Sequence, residues 1–312
     1  MRFVIVGPGA LGSVIGAILA QGNHDVSLLG RPSPHLRALR ETGLHLTSRA
    51  RATERVMLPA SDDASIVAAA DAIVILVKTG DTTAAMNAIK PHVRMGQTVL
   101  TLQNGLGNAE RIGGVLDEGV RVLAGVTSHA AHRTGPGAVV HAGEGPTLIG
   151  PLDERDAPMA AELAQAFTDS GLPTASVPDI ERWIWQKAAV NAAINGLTAL
   201  GEFPNGAIAA NPDLLDAAEI IAEEAASVAR ARGFELGGMR RIILETATAT
   251  ANNRSSMLQD LENGRRTEVA AIHGAILAAG AETGIATPAI QTIAALIAAK
   301  EQSVSAAAQS NG

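Results

Sequence analysis

Six residues near the start of the chain, Gly7-Pro8-Gly9-Ala10-Leu11-Gly12, constrain its fold more than any other feature. They follow Met1-Arg2-Phe3-Val4-Ile5-Val6, a short run rich in β-branched residues that reads as a buried parallel strand. An apolar helical segment, Ser13 to Gln21, comes next. A second strand, Asp25 to Leu29, then ends in Gly30-Arg31. G-x-G-x-x-G in this strand–turn–helix–strand setting is the fingerprint of a dinucleotide-binding loop. Gly7 makes the tight turn, Gly9 lets the backbone approach a pyrophosphate, and Gly12 lets helix and strand pack closely. The N-terminus of the helix that follows supplies N–H groups and a positive dipole end. A Gly-rich turn without a ligand is the plain alternative.

The end of the second strand selects the cofactor. An NAD-preferring site places Asp or Glu there for the ribose 2′-hydroxyl. This chain has Gly30-Arg31-Pro32-Ser33 and no carboxylate before Glu41. A carboxylate repels a 2′-phosphate, whereas a guanidinium binds it through charge-assisted hydrogen bonds. NADPH (NADP+) is therefore the expected cofactor, and the alternative is that Arg31 is a solvated loop residue.

Further apolar runs continue the pattern. Ala72 to Val77 ends in Lys78, Thr98 to Leu102 ends in Gln103-Asn104-Gly105, and Val122 to Val126 reads as a fifth strand. Ligands of open α/β sheets bind outside the carboxyl ends of strands. Lys78 and Asn104 are thus site candidates, with a solvated lysine and a plain turn as their bland readings. Residues 129–178 read as hairpin and α/β material. His129 and His132 lack carboxylate or Cys partners at ligand spacing, so no metal is expected.

From Asp179 to about Glu301 helical periodicity takes over. The expected fold is α/β: an N-terminal Rossmann-type parallel-sheet domain, residues 1–178, followed by an all-α C-terminal substrate domain, residues 179–301. A frayed tail, residues 302–312, is expected to close the chain. The 312 residues carry a net charge of −7, which argues against nucleic acid or an anionic membrane surface as partner. No uninterrupted membrane span is visible. The absence of cysteine fits a cytoplasmic protein and removes thiolate chemistry. The absence of tyrosine removes any mechanism built on a Tyr-x-x-x-Lys pair.

Chemistry concentrates in the segment Ile184 to Leu200, where Lys187, Asn191 and Asn195 recur in steps of four among Ala, Val, Ile and Leu. Four residues turn about 40° past a full circle, so the three side chains form one polar stripe on a helix that is otherwise apolar. A lysine so placed is depressed in pKa unless a partner compensates, as catalytic lysines are. A packing network is the alternative. Glu268, opening another strongly apolar helix, could supply that carboxylate, or it could be a first-turn acid. Ser256 reads equally as an N-cap or a ligand.

These motifs together resemble the ketopantoate reductase family over nearly the whole chain. The matching signatures are Gly7-x-Gly9-Ala10-Leu11-Gly12, Lys78 after a buried strand and Gln103-Asn104-Gly105. In the C-terminal half they are Trp185-Gln186-Lys187-x-x-Val190-Asn191-x-x-Ile194-Asn195, Pro204-Asn205-Gly206, Ser255-Ser256-Met257-Leu258-Gln259-Asp260 and Arg266-Thr267-Glu268. The resemblance implies NADPH-dependent reduction of 2-dehydropantoate to pantoate, in pantothenate and coenzyme A biosynthesis. It makes Lys187 the general acid and Glu268 its partner, with Glu268 also among the cofactor-binding residues. Asn191, Asn195, Asn205 and Ser256 would hold substrate, Arg31 and Lys78 the cofactor, and Asn104 would lie where the two ligands meet. The implied partner is a small anionic 2-keto acid, and a homodimer is allowed. Other readings are a reductase of different branched 2-keto acids, one acting on an imine or opine precursor, and a cofactor-binding regulator without catalysis.

Overall fold

A computed structural model describes residues 1–48 and 51–310. They divide into two compact units. Met1–Gln103 and Asn108–Ile180 form the first, while the short loop Asn104–Gly107 groups with the second, from Glu181 onward.

The first unit holds twelve strands among the described residues. In chain order they are β1 (Arg2–Val6), β2 (Asp25–Leu29), β3 (Leu44–Ser48), β4 (Arg51–Val56), β5 (Ala60–Ser61) and β6 (Ala72–Ile75). Then come β7 (Thr98–Thr101), β8 (Arg121–Thr127), β9 (Ala130–Gly135), β10 (Ala138–Gly143), β11 (Thr147–Pro151) and β12 (Thr174–Ser176). Eight form one sheet in the order β12-β11-β8-β7-β6-β1-β2-β5. Its pairings are parallel except for β11 against β8. Strand order reverses at β1, with β2 on one side and β6 on the other, and ligands of such sheets bind at this kind of switch point.

Burial on both faces explains the unbroken apolar runs. Phe3 and Ile5 pack with Val14, Ile15 and Leu19 of α1 (Ala10–Gln21), while Val4 and Val6 pack on the opposite face with Ile73, Ile75 and Val99. The other helices of this unit are α2 (Pro34–Glu41), α3 (Thr82–Ile89), α4 (Asn108–Gly113) and α5 (Ala157–Asp169). A separate sheet, β4-β3-β10-β9, is a feature the hydrophobic pattern did not separate from the main one. His35 ties it down: Gly137 N–H donates to Nδ1 at 3.0 Å, which leaves Nε2 to donate to the Ser13 hydroxyl at 3.3 Å.

The second unit is helical. It comprises α6 (Ile180–Gly201), α7 (Gly206–Ala210), α8 (Pro212–Ala231), α9 (Met239–Ala249), α10 (Ser256–Glu262), α11 (Ala275–Thr283) and α12 (Pro288–Ser310). Its core is built mostly of small and aliphatic residues. Ala188, Ala189, Ala192 and Ala193 of α6 join Ala218, Ala222, Ala225 and Ala229 of α8 in one buried cluster. Local signals fix the helix starts. The Asn211 side chain accepts from Asp213 N–H at 2.9 Å ahead of Pro212, and Glu224 accepts from Ala289 and Ile290 N–H, each at 2.9 Å, at the start of α12.

One expectation needs correction, and one element runs on: α12 continues past Gln302 to Ser310, as its Ala-rich sequence favours. Asn311 and Gly312 lie outside the described residues. The segment after Glu268 begins as a π-helical turn, Ala270–Gly274, before α11.

Candidate active site

The glycine loop follows β1 with the geometry its spacing implies. Gly7 has φ of +98°, and a Cβ there would lie 2.6 Å from Val77 N. A Cβ on Gly12 would meet the Gly7 carbonyl oxygen at 2.3 Å, so only glycine allows α1 to approach the strand this closely. Gly9 differs: a Cβ there would meet nothing within 4 Å. The space beside it is an open cradle at the start of α1, whose first turn carries no acidic residue and no side-chain cap from Gly9. Pro8 packs toward Gly30, while Ala10 and Leu11 begin the helix. A pyrophosphate fits this surface because uncapped backbone N–H groups and the dipole face it.

Arg31 and Lys78 stand just beyond β2 and β6, on the two strands flanking β1. Both are exposed. The Arg31 guanidinium is engaged: its Nη1 and Nη2 donate to the two carboxylate oxygens of Asp81 at 3.3 and 2.9 Å. The sequence signals this partner only as a carboxylate three residues after Lys78.

In the helical unit α6 carries Lys187, Asn191 and Asn195 amid buried Ala188, Ala189, Ala192, Ala193 and Ile194, with Asn195 itself buried. Burial pulls the Lys187 ammonium down to about 8, and the Glu268 carboxylate opposes that fall. Glu268 accepts at Oε2 from the Asn104 side-chain amide at 3.0 Å. That amide is brought in by the loop after β7. Gly105 has φ of +88°, and a Cβ there would meet the Ala271 carbonyl oxygen at 2.4 Å. The same carbonyl accepts from Leu106 N–H at 3.1 Å. The π-turn thus receives the Asn104 loop, and His273 anchors it to α6 through Nε2, 3.0 Å from the Ala192 carbonyl. His273 also escaped notice in the sequence. Its only signal was one titratable residue in an apolar run.

Asn205 lies before α7 and is buried. Thr250 spends its hydroxyl proton on the Thr246 carbonyl at 2.7 Å, so its oxygen accepts from Asn205 Nδ2 at 2.9 Å. This orients the amide and leaves Asn205 Oδ1 as a buried acceptor without a hydrogen-bond partner. An unsatisfied buried acceptor can take a hydrogen bond from a donor that reaches it.

The structure removes the N-cap reading of Ser256. Ser255, not Ser256, caps α10, accepting from Leu258 N–H at 3.2 Å, and its hydroxyl bonds that of Thr198 on α6 at 2.8 Å. Ser256 is left exposed at the first turn. His129 pairs with His141, at 2.9 Å, rather than with His132. Among the described residues no group of three or more His, Cys, Asp or Glu could hold a metal ion, and no helix is long and apolar enough to cross a membrane.

Comparison with known proteins agrees over both halves. Residues 3–154 match the family model described as ketopantoate reductase PanE/ApbA, and residues 179–301 match its C-terminal counterpart. A 2-dehydropantoate 2-reductase of Halobacterium salinarum is 42% identical over 302 residues, covering 95% of this chain and 98% of its own. Among solved structures, a PanE/ApbA family ketopantoate reductase from Ralstonia eutropha has a TM-score of 0.88 at 33% identity. It covers 97% of this chain and 99% of its own. D-mandelate dehydrogenase, solved with NADH and anilino(oxo)acetate, has a TM-score of 0.91 at 27% identity with the same coverage. From the glycine loop through the Lys-Asn-Asn helix to Glu268, this chain belongs to the ketopantoate reductase family of oxidoreductases.

Proposed function

We propose that this chain reduces the keto group of 2-dehydropantoate with NADPH and that Lys187 is its general acid. The observation that carries the reading is the Lys187 environment. An ammonium lowered to about 8 by desolvation, yet held charged by Glu268, is poised to give up a proton near neutral pH. Reduction of a ketone leaves charge on its oxygen, and a positioned ammonium supplies both electrostatic stabilisation and the proton. Glu268 keeps Lys187 charged, and Asn104 holds Glu268 by its amide.

The reduced nicotinamide supplies the hydride. Gly7, Pro8, Gly9, Ala10, Leu11 and Gly12 would carry its pyrophosphate, Arg31 and Lys78 its 2′-phosphate. On the substrate side, Asn191 and Asn195 offer neutral polar groups for the keto acid, adding no unpaired charge to the apolar α6, and Ser256 offers a hydroxyl from the first turn of α10. Asn205 suits a hydroxyl, because its unsatisfied atom is an acceptor and an alcohol is a donor. The 42% identical relative named for this reaction supports the choice of substrate.

A second reading is favoured by two observations. The Arg31 fork is engaged by Asp81, and the mandelate dehydrogenase neighbour was solved with NADH. This favours NADH with a different 2-keto acid. Steady-state reduction of a 2-keto acid panel with each cofactor separates the two. The proposal expects the highest kcat/KM for 2-dehydropantoate with NADPH. It is overturned if 2-ketoisovalerate or an aryl keto acid with NADH does better.

A further inference from the structure

Asp81 is the unassigned residue with the clearest chemistry. It follows β6 in a short 3-10 turn, Thr79–Asp81, and Arg31 follows β2. Because β6 and β2 flank β1, their ion pair spans the carboxyl end of the strand that feeds the glycine loop. Both Arg31 terminal nitrogens point at Asp81, and Asp81 makes no capping hydrogen bond to α3. The two-pronged face of the guanidinium, which a phosphate would use, is therefore taken by a carboxylate. The Arg31 side chain is 81% exposed and that of Asp81 40%, so solvent screens the pair and a stronger anion can displace it.

We infer that Asp81 limits selectivity for NADPH by competing with its 2′-phosphate for Arg31. The inference rests on the reading of Arg31 as the 2′-phosphate ligand. NADPH must displace the carboxylate and then sit beside it, and both effects weaken its binding. NADH carries no phosphate there and leaves the pair intact. Asp81 thus narrows the preference that Arg31 creates.

The test is a binding experiment on the full chain without substrate. NADPH and NADH are titrated by fluorescence into wild type, Asp81→Asn, Arg31→Ala and the double variant, and melting curves confirm that each is folded. Asp81→Asn is expected to tighten NADPH about three- to tenfold and leave NADH within about twofold. With Arg31 already replaced by Ala, the same change should gain less than about twofold, since no guanidinium is left to contest. If Asp81→Asn weakens NADPH, Asp81 orients Arg31 instead and the inference fails. It also fails if NADPH is unchanged, or if both cofactors tighten alike. Should Arg31→Ala leave NADPH binding intact, the cofactor reading falls and takes this inference with it. Should Arg31→Ala weaken NADPH while Asp81→Asn does not strengthen it, the cofactor reading survives alone.

Discussion

Two cation–carboxylate pairs, one in each unit, use the same chemistry to different ends. Arg31 and Asp81 meet at the mouth of the sheet in contact with water. Lys187 and Glu268 act on each other in the helical unit, where burial is the largest influence on the lysine. An exposed pair is worth about 0–1 kcal/mol and exchanges partners readily. A desolvated one fixes a protonation state, because the alternative is an uncompensated charge out of water. The first arrangement suits recognition of an anion that comes and goes. The second suits a proton that must be ready at a set pH.

The largest expected effect tests the buried pair. Lys187→Ala should lower kcat by on the order of 10²–10⁴, the usual loss of a general acid, with NADPH Kd little changed. A kcat within threefold of wild type in steady-state assays would make the pair a packing device. The exposed pair should give a smaller and more selective effect. Arg31→Ala removes a charge-assisted contact of roughly 1.5–3 kcal/mol, so NADPH Kd should rise about ten- to hundredfold while NADH hardly moves. Equal losses for both would assign Arg31 to the fold.

Asn205 sharpens the contrast from the substrate side. If its unsatisfied Oδ1 accepts the hydroxyl of 2-dehydropantoate, Asn205→Ala should cost kcat/KM for that substrate about 1–3 kcal/mol. It should spare 2-ketoisovalerate, which lacks the hydroxyl. Parallel losses on both substrates would mean that Asn205 serves only its Thr250 contact.

The smallest effect separates two glycines of one loop. Gly9→Ala adds a methyl group to open space at an ordinary φ of −71°, so its melting temperature should stay within a few degrees of wild type. NADPH and NADH should weaken together, because the pyrophosphate is common to both. Gly12→Ala drives a methyl group into the Gly7 carbonyl and should instead lower the melting temperature. Differential scanning fluorimetry with and without cofactor distinguishes the two, and a Gly9→Ala variant with unaltered affinity would remove the cradle from the site.

What the sequence disclosed follows from what is local. The glycine loop, the buried strands and the polar stripe of α6 all rest on spacing within a few residues, and these elements form with their ends shifted: β6 stops at Ile75 and α6 starts at Ile180. The second sheet was harder to see. Its strands, such as Ala130–Gly135, are mixed in polarity, and its two local hairpins are joined only by the long-range pairing of β10 with β3. Asp81 reaches back fifty residues to Arg31, and no spacing rule reports such a pair. Ser255 and Ser256 are equivalent as letters, and only the turn geometry of α10 decides which hydroxyl is consumed as a cap. His273 gains its meaning from a π-turn, which shifts the hydrogen-bond register and has no simple apolar period.

The most direct measurement is the pH dependence of kcat for wild type and Glu268→Gln at saturating cofactor and substrate. Lys187 must be protonated to act as an acid, so wild-type kcat should fall as pH rises through about 8. Glu268 raises the lysine pKa against burial, so its neutralisation should move that falling limb to lower pH. A wild-type profile flat from pH 7 to roughly 10, or a Glu268→Gln limb that stays put or moves upward, would contradict Lys187 as the proton donor held charged by Glu268.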